Sequence, residues 1–184
     1  MKRVNCYLFL LTILMLACED VTTDEIQSVK DGEYIIKLYN DNGDLLLTKR
    51  GNAENLVADN IYSWEIRFLD PLFGMQNSDP LETFASLTVF GKSSINKPQE
   101  LFFNNDNIAV LHQQWYSLGD DWGYRSTKGT MNITQIEKFR IKGNFEINLE
   151  VDGSAQQNPK WGERIFVKGY FSSVCPYEEY GGCE

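Results

Sequence analysis

The chain has 184 residues and a formal net charge of −9 at pH 7, with 26 acidic against 17 basic residues. An acidic surface repels the phosphates of nucleic acids and anionic lipid headgroups, so the charge argues against both as partners. The length suits a single domain that can bury a substantial core without metal ions.

The first feature along the chain is a short apolar segment. Lys2 and Arg3 precede twelve apolar or nearly apolar residues, Cys6 to Ala17. A membrane-spanning helix needs about 20 apolar residues, so this segment is too short to span a bilayer. Its basic start and small final residue are typical of a secretory signal peptide. We therefore expect residues 1–17 to be removed.

The expected cleavage site lies directly before Cys18. The sequence Met15-Leu16-Ala17-Cys18 resembles the lipobox of bacterial lipoproteins, in which the signal peptidase cuts before a cysteine that carries lipid. The resemblance implies that Cys18 is the lipidated first residue of a mature chain of 167 residues with a net charge of −11. Two acyl chains already anchor a protein stably to a membrane. The expected location is the outer membrane, through a lipid anchor.

An acidic segment follows the predicted lipid site. From Glu19 to Glu33 there are six acidic residues, one lysine and no aromatic residue. Such a composition buries too little apolar surface to fold, so residues 18–31 are expected to be a flexible tether. An acidic first strand is the alternative for the part after Asp24. The β domain is expected to comprise residues 32–184.

Beyond the tether, apolar residues recur with a period of two. Residues 62–69 alternate between large apolar and mostly polar side chains, and the eleven residues from Ile141 to Val151 alternate almost perfectly. This period is typical of strands with one buried and one solvated face. Weaker patterns predict strands at Glu33–Tyr39, Asp44–Lys49, Thr83–Gly91, Ile108–Tyr116, Gly129–Gln135 and Glu163–Val174.

Eight or nine short strands separated by turn residues predict an all-β fold. No stretch indicates a crossover helix, so the strands are expected to be antiparallel. A β-sandwich and an open barrel both fit, and the choice stays open. Six residues on two strands are expected to face one interior: Trp64, Ile66, Phe68, Phe145, Ile147 and Leu149.

A Lys-Gly-x-Phe pattern occurs twice, at residues 142–145 and 168–171. Glycine weakens a strand unless a bend or a close neighbour needs the space. Its repetition on the last two strands predicts that these strands are adjacent and curve together around a large core residue.

Three segments of the C-terminal third form a recognisable series. A Gly-Thr-x-x-Ile-Thr strand at residues 129–134 is followed by Gly-x-Phe at 143–145 and again at 169–171. This series resembles a group of small uncharacterised cell-envelope lipoproteins of Bacteroidota. The resemblance implies a β fold and a lipoprotein address but no activity. The acidic residues after Cys18 also resemble the signal that exports lipoproteins of that phylum to the cell surface.

Two cysteines remain near the C-terminus, Cys175 and Cys183. In a secreted protein, two leftover cysteines most simply form a disulfide. Metal binding is the competing interpretation, but two thiolates without a nearby histidine make at most half of a zinc site.

The best functional signal is aromatic. Four aromatic residues fall within ten residues, around a Gly-Asp-Asp turn where β scaffolds often carry binding groups. We expect the tryptophan inside the turn to be exposed and to anchor a ligand, with the carboxylates selecting it by hydrogen bonds. The competing interpretation is that these aromatic residues pack inward. The candidate ligand-binding residues are Trp122, Tyr116, Tyr124, Asp120 and Asp121.

No motif indicates catalysis, a metal site or a cofactor. The only histidine, His112, fits an ordinary strand position, and both phosphate-binding patterns, GxxxxGK[ST] and GxGxxG, are missing. We therefore expect a lipid-anchored cell-envelope protein that is a non-catalytic binding or structural module, with a glycan or a protein as its ligand. Two alternatives stay open: an envelope inhibitor or immunity protein, and a glycan-acting enzyme.

Overall fold

The structure is a computed structural model that describes residues 29–56, 63–73, 75, 78–79, 81–113, 122–138, 140–153 and 155–176. Among these residues, no helix has the length and apolar character needed to cross a membrane. The described chain forms β1 (Glu33–Asn40), β2 (Leu45–Leu56), β3 (Trp64–Leu69), β4 (Ser86–Gly91), β5 (Gln99–Phe102), β6 (Asn107–Gln113), β7 (Trp122–Glu137), β8 (Arg140–Val151) and β9 (Arg164–Val174).

Eight of these strands close into an antiparallel barrel. Around the barrel the order is β1, β2, β3, β4, β6, β7, β8 and β9, and β9 pairs with β1 to complete the ring. The additional strand, β5, pairs with β7. The all-β antiparallel prediction is confirmed, and the choice between sandwich and barrel is settled as a closed barrel. Closure removes the exposed strand edges that an open sheet would present.

Side chains fill the interior of the barrel. The Phe68 ring lies 5.5 Å from Tyr34, 5.1 Å from Phe145 and 5.4 Å from Phe171, measured between ring centroids. An eight-stranded barrel is just wide enough for such packing. The expected shared interior is confirmed, since all six of its residues are buried: Trp64, Ile66, Phe68, Phe145, Ile147 and Leu149.

The two Lys-Gly-x-Phe segments interlock inside the barrel. Gly143 of β8 pairs with Phe171 of β9, and Gly169 of β9 pairs with Phe145 of β8. A Cβ atom on Gly169 would lie 2.5 Å from the Phe145 ring, and one on Gly143 would lie 3.0 Å from the Phe171 ring. Each glycine therefore leaves space for the phenylalanine of the other strand. The prediction of two adjacent strands around large core residues is confirmed.

Some strand boundaries differ from the sequence prediction. β7 begins at Trp122, seven residues before the expected start, and β2 continues to Leu56. The second half of β2 consists mostly of polar residues, yet it pairs with both β1 and β3. The short β5 was not predicted, because four residues are too few to show a period.

The residue at the end of the predicted tether, Asp31, is attached to the barrel. Ser172 Oγ donates a hydrogen bond to the Asp31 carboxylate at 2.9 Å. Arg140 and Lys142 lie 2.9 and 3.3 Å from the same carboxylate. The Ser172 hydrogen bond and these two cations hold the pKa of Asp31 below its usual value. The chain therefore enters the barrel at the β8–β9 side, at the opposite end of β1 from the β1–β2 hairpin.

Candidate functional site

Two of the aromatic residues proposed from sequence lie inside the barrel. Trp122 is 4% exposed and Tyr124 is fully buried, so the expectation of an exposed Trp122 is wrong. The reason is the early start of β7, because Tyr124 pairs with Leu111 of β6 and with Val151 of β8. Strand alternation then directs Trp122 and Tyr124 inward together. Three other candidates lie outside the described residues: Tyr116, Asp120 and Asp121.

These inward aromatic residues close one end of the barrel. Trp161, from the connection between β8 and β9, lies 4.5 Å from Trp122 between ring centroids. The Tyr124 hydroxyl donates to the carbonyl of Gly162 at 2.7 Å and accepts from the amide of Asn158 at 2.9 Å. Burial raises the pKa of Tyr124 to about 12, so its hydroxyl stays protonated at neutral pH. The contacts give Trp122 and Tyr124 a structural role.

A groove of about 560 Å³ lies on the outer surface of the barrel, across β7, β8, β9 and β1 and beside the β1–β2 hairpin. Its floor is a row of five side chains from five neighbouring strands, in which each residue pairs directly with the next. Directly paired residues share one face of a sheet. With strands about 4.8 Å apart, the row is about 19 Å long. This cross-strand row consists of Lys128, Asn148, Phe166, Tyr39 and Leu45.

The cross-strand row faces away from the core. Ile165 and Val167, on either side of Phe166, belong to the interior. Leu38, next to Tyr39, is also buried there. Because successive side chains of a strand point to opposite faces, the row points outward.

The centre of the row is aromatic. The rings of Tyr39 and Phe166 have centroids 6.1 Å apart and planes tilted by 39°. Both side chains are half-buried, so each keeps part of its ring accessible. The Lys168 ammonium lies 5.5 Å from the centre of the Phe166 ring, within the range of a cation–π contact. The groove is thus lined by two aromatic rings, with the Lys168 ammonium over one of them.

Ion pairs border the row on both sides. Arg164 and Glu150 lie 3.2 Å apart towards the hairpin end of the barrel. Lys168 and Glu146 lie 3.2 Å apart towards the tether end. Each pair is two residues along its strands from the row, which corresponds to about 6–7 Å. A second cavity of about 360 Å³ begins beyond the Glu150–Arg164 pair, where Glu163 contributes to its lining.

The two ends of the groove have different chemistry. At one end Lys128 is exposed, and it forms no ion pair within the described ranges. At the other end the β1–β2 hairpin forms a wall. The Asn40 side-chain oxygen accepts hydrogen bonds from the amides of Asn42 at 3.0 Å and Asp44 at 2.9 Å, which orders this turn.

Sequence reasoning missed this groove, although part of its signal was present. Phe166 alternates with Ile165 and Val167, so it occupies the solvated positions of β9, where a large aromatic side chain is unusual. Tyr39 holds the corresponding position at the end of β1. The juxtaposition of these side chains depends on β1 pairing with β9, which no local pattern predicts.

The remaining sequence-predicted residues are placed as follows. His112 lies in β6, as expected for a strand residue. Cys175 is buried, whereas Cys18 and Cys183 lie outside the described residues, so the lipid site and the disulfide stay predictions. Within the described part of the chain, no group of three or more His, Cys, Asp or Glu residues is placed to hold a metal ion. In comparisons with known proteins, no family model, curated protein or solved structure matches this chain.

Proposed function

We propose that this chain is a lipid-anchored cell-envelope protein whose barrel is a non-catalytic binding module, with the outer groove as its binding site. The observation that carries the proposal is the aromatic centre of the cross-strand row, Tyr39 and Phe166, on an outward face. Ligand sites are typically concave, with apolar and aromatic linings and a few polar groups. The barrel interior is filled by side chains and leaves no comparable space for a ligand among the described residues.

The position of the groove supports a ligand away from the membrane. In this proposal the lipid is on Cys18, and the twelve residues from Glu19 to Lys30 connect it to Asp31. Asp31 is attached to one end of the barrel, and the hairpin beside the groove lies at the other. The eight residues of β1 separate these ends by roughly 25 Å. A partner in the groove would therefore not compete with the membrane for space.

The carboxylates beside the groove support a non-catalytic role. In glycoside hydrolysis one carboxyl group of the pair commonly donates a proton to the leaving group, and the other acts as nucleophile or base. Glu150 is held by Arg164 and Glu146 by Lys168, on opposite sides of the cross-strand row. Both carboxylates are thus engaged in ion pairs that shape the walls of the groove.

We propose further that Cys175 and Cys183 form a disulfide near the tether end. Cys175 follows β9 directly and is buried, which suits a cross-linked position. Closing so short a loop contributes about 2–3 kcal/mol in the chain-entropy model. Mass spectrometry of unreduced peptides from exported protein should recover the linked pair. Two free thiols would contradict the proposal.

The anchor is tested by labelling with fatty acid. Cys18→Ser should abolish incorporation of labelled fatty acid and release the protein from the membrane fraction, because the thiol is the acceptor. Cys175→Ser is the control and should retain the label. Labelling of the Cys18→Ser protein would contradict the lipoprotein assignment.

The binding site is tested by photo-crosslinking in the producing bacterium. A photoreactive amino acid replaces Leu45, which is 42% exposed at one end of the cross-strand row. The control places the same amino acid at Phe102, which is 58% exposed on β5. A discrete adduct is expected at position 45 only, and the additional change Phe166→Ala should remove it. Equal labelling at both positions, or none at position 45, would contradict the proposed binding site.

A further inference from the structure

We propose that the groove binds a linear oligosaccharide carrying an acidic group, lying along the cross-strand row with that group at Lys128. This inference rests on the proposed binding function and specifies the class of ligand. It follows from the floor of the groove, its borders, its shape and the distribution of its charges.

The floor and borders match the two kinds of surface on a sugar. A pyranose ring has faces made of C–H groups, which pack on the electron-rich faces of aromatic rings, and an edge of hydroxyl groups. Tyr39 and Phe166 supply aromatic faces in the middle of the groove. Ion pairs and the Asn148 amide surround them and offer hydrogen-bonding groups. An acyl chain has no hydrogen-bonding atoms along its length and would make no use of these groups.

The shape of the groove favours a chain of sugars over a compact ligand. The cross-strand row crosses five strands and is about 19 Å long. The two ion pairs run along its sides, so an extended molecule lies across the strands, parallel to the row. The groove is open to solvent along this line, which allows the outer edges of the sugars to remain hydrated.

The charges favour an acidic ligand at one end. The chain as a whole carries a net charge of −9, yet the groove lining has three basic residues and two acidic ones. Arg164 and Lys168 are each neutralised by a glutamate. Lys128 forms no ion pair with any other described residue, so its ammonium is available to an anion. The second cavity contains Glu163, which opposes an anion beyond the Glu150–Arg164 pair.

The test is calorimetric titration of the full chain in detergent with two hexasaccharides. One is a glucose hexamer in which a single terminal residue is replaced by glucuronic acid, and the other is the neutral glucose hexamer. Phe166→Ala is matched by Phe102→Ala, since Phe102 is exposed outside the groove. Lys128→Gln is matched by Lys97→Gln, which removes another exposed lysine.

The acidic hexamer should bind about fivefold more tightly than the neutral one, the size expected for one exposed charge pair. Phe166→Ala should weaken both by about tenfold through lost stacking. Lys128→Gln should reduce the affinity for the acidic hexamer to that for the neutral one and leave the neutral one unchanged. Both control variants should bind as the parent does.

Three results would overturn the inference. They are equal affinity for the two hexamers, binding that survives Phe166→Ala, and no binding of either hexamer at millimolar concentration. If the inference fails while the Leu45 crosslink persists and depends on Phe166, the groove binds another class of ligand and the proposed function stands. Loss of both results would remove the proposed function as well.

Discussion

The two faces of β8 and β9 differ in how tightly their side chains are packed. On the inward face, a Cβ atom added to Gly169 would collide with the Phe145 ring, and one added to Gly143 would lie 2.4 Å from the Asn132 carbonyl and 3.0 Å from the Phe171 ring. On the outward face, Phe166 sits half-buried beside ion pairs, with room around it for a ligand. Successive side chains of one strand are thus under different constraints. The inner ones must fit the neighbouring side chains of the core, whereas the outer ones leave space for a ligand.

The largest expected effect is at Trp64, on the inward face of β3. Its ring occupies the space above Gly91, and its indole N–H donates to the Ser93 carbonyl at 2.8 Å. Trp64→Ala should lower the free energy of unfolding by about 3–5 kcal/mol, as deletion of a buried large aromatic side chain does. Urea unfolding measures this. A loss below about 1 kcal/mol would show that the inward face tolerates cavities, and the comparison of the two faces would fail.

A smaller effect is expected from overfilling the same face. Gly169→Ala places a Cβ atom 2.5 Å from the Phe145 ring and 2.8 Å from Ile36. This should lower the free energy of unfolding by about 1–3 kcal/mol. Gly123→Ala is the matched control, because its Cβ would lie 3.4 Å from Ala155. Adding Phe145→Leu to Gly169→Ala should recover part of the loss by shrinking the ring that collides. If the two glycine variants lose equal stability, the interlock is not the cause.

On the outward face, stability and binding should separate. Phe166→Ala removes a half-buried ring. This ring lies on the face of β9 opposite to the core residues Ile165 and Val167. We expect the free energy of unfolding to fall by less than about 1 kcal/mol, as for most surface changes. The same variant should lose more free energy of sugar binding than free energy of unfolding. A loss of stability comparable to that of Trp64→Ala would place Phe166 among the residues that hold the barrel together.

The smallest effect concerns Asp31, where the tether meets the barrel. Its pKa in the folded chain lies below the usual value of 3.8, mainly through the Ser172 hydrogen bond, so the folded state favours the ionised form. Its contribution is present above pH 3.8 and is lost as the pH falls through the lowered pKa. Asp31→Asn should therefore reduce resistance to urea slightly at pH 7 and less at pH 3. A difference that grows on acidification would reverse the assigned sign. Asp41→Asn in the hairpin is the control.

Alternation along single strands predicted much of the interior but misplaced one segment. Residues 141–151 alternate so regularly that β8 and its buried face follow from the sequence. The acidic and glycine residues before Trp122 predict a turn, yet Trp122 is the first residue of β7 and is 4% exposed. Pairing with β6 extends the strand to Trp122, and this tertiary contact overrides the local turn signal.

The groove is a second feature that the sequence did not predict. Phe166 and Tyr39 are 127 positions apart in the chain and become neighbours only because the first and last strands pair to close the barrel. Their outward direction follows from alternation, but their proximity does not. A ligand site assembled from several strands therefore cannot be predicted from the pattern of any single strand.

The strand content, the antiparallel class and most inward-facing residues follow from local patterns, because each depends on a period of two and on turn residues. The repeated Lys-Gly-x-Phe motif also predicted that β8 and β9 are adjacent, since it occurs on two consecutive strands. Closure of the sheet, the entry of Trp122 into the core and the row of five outward residues appear only in the folded chain. These features depend on which strands become neighbours, and that choice is made by contacts between residues far apart in the chain.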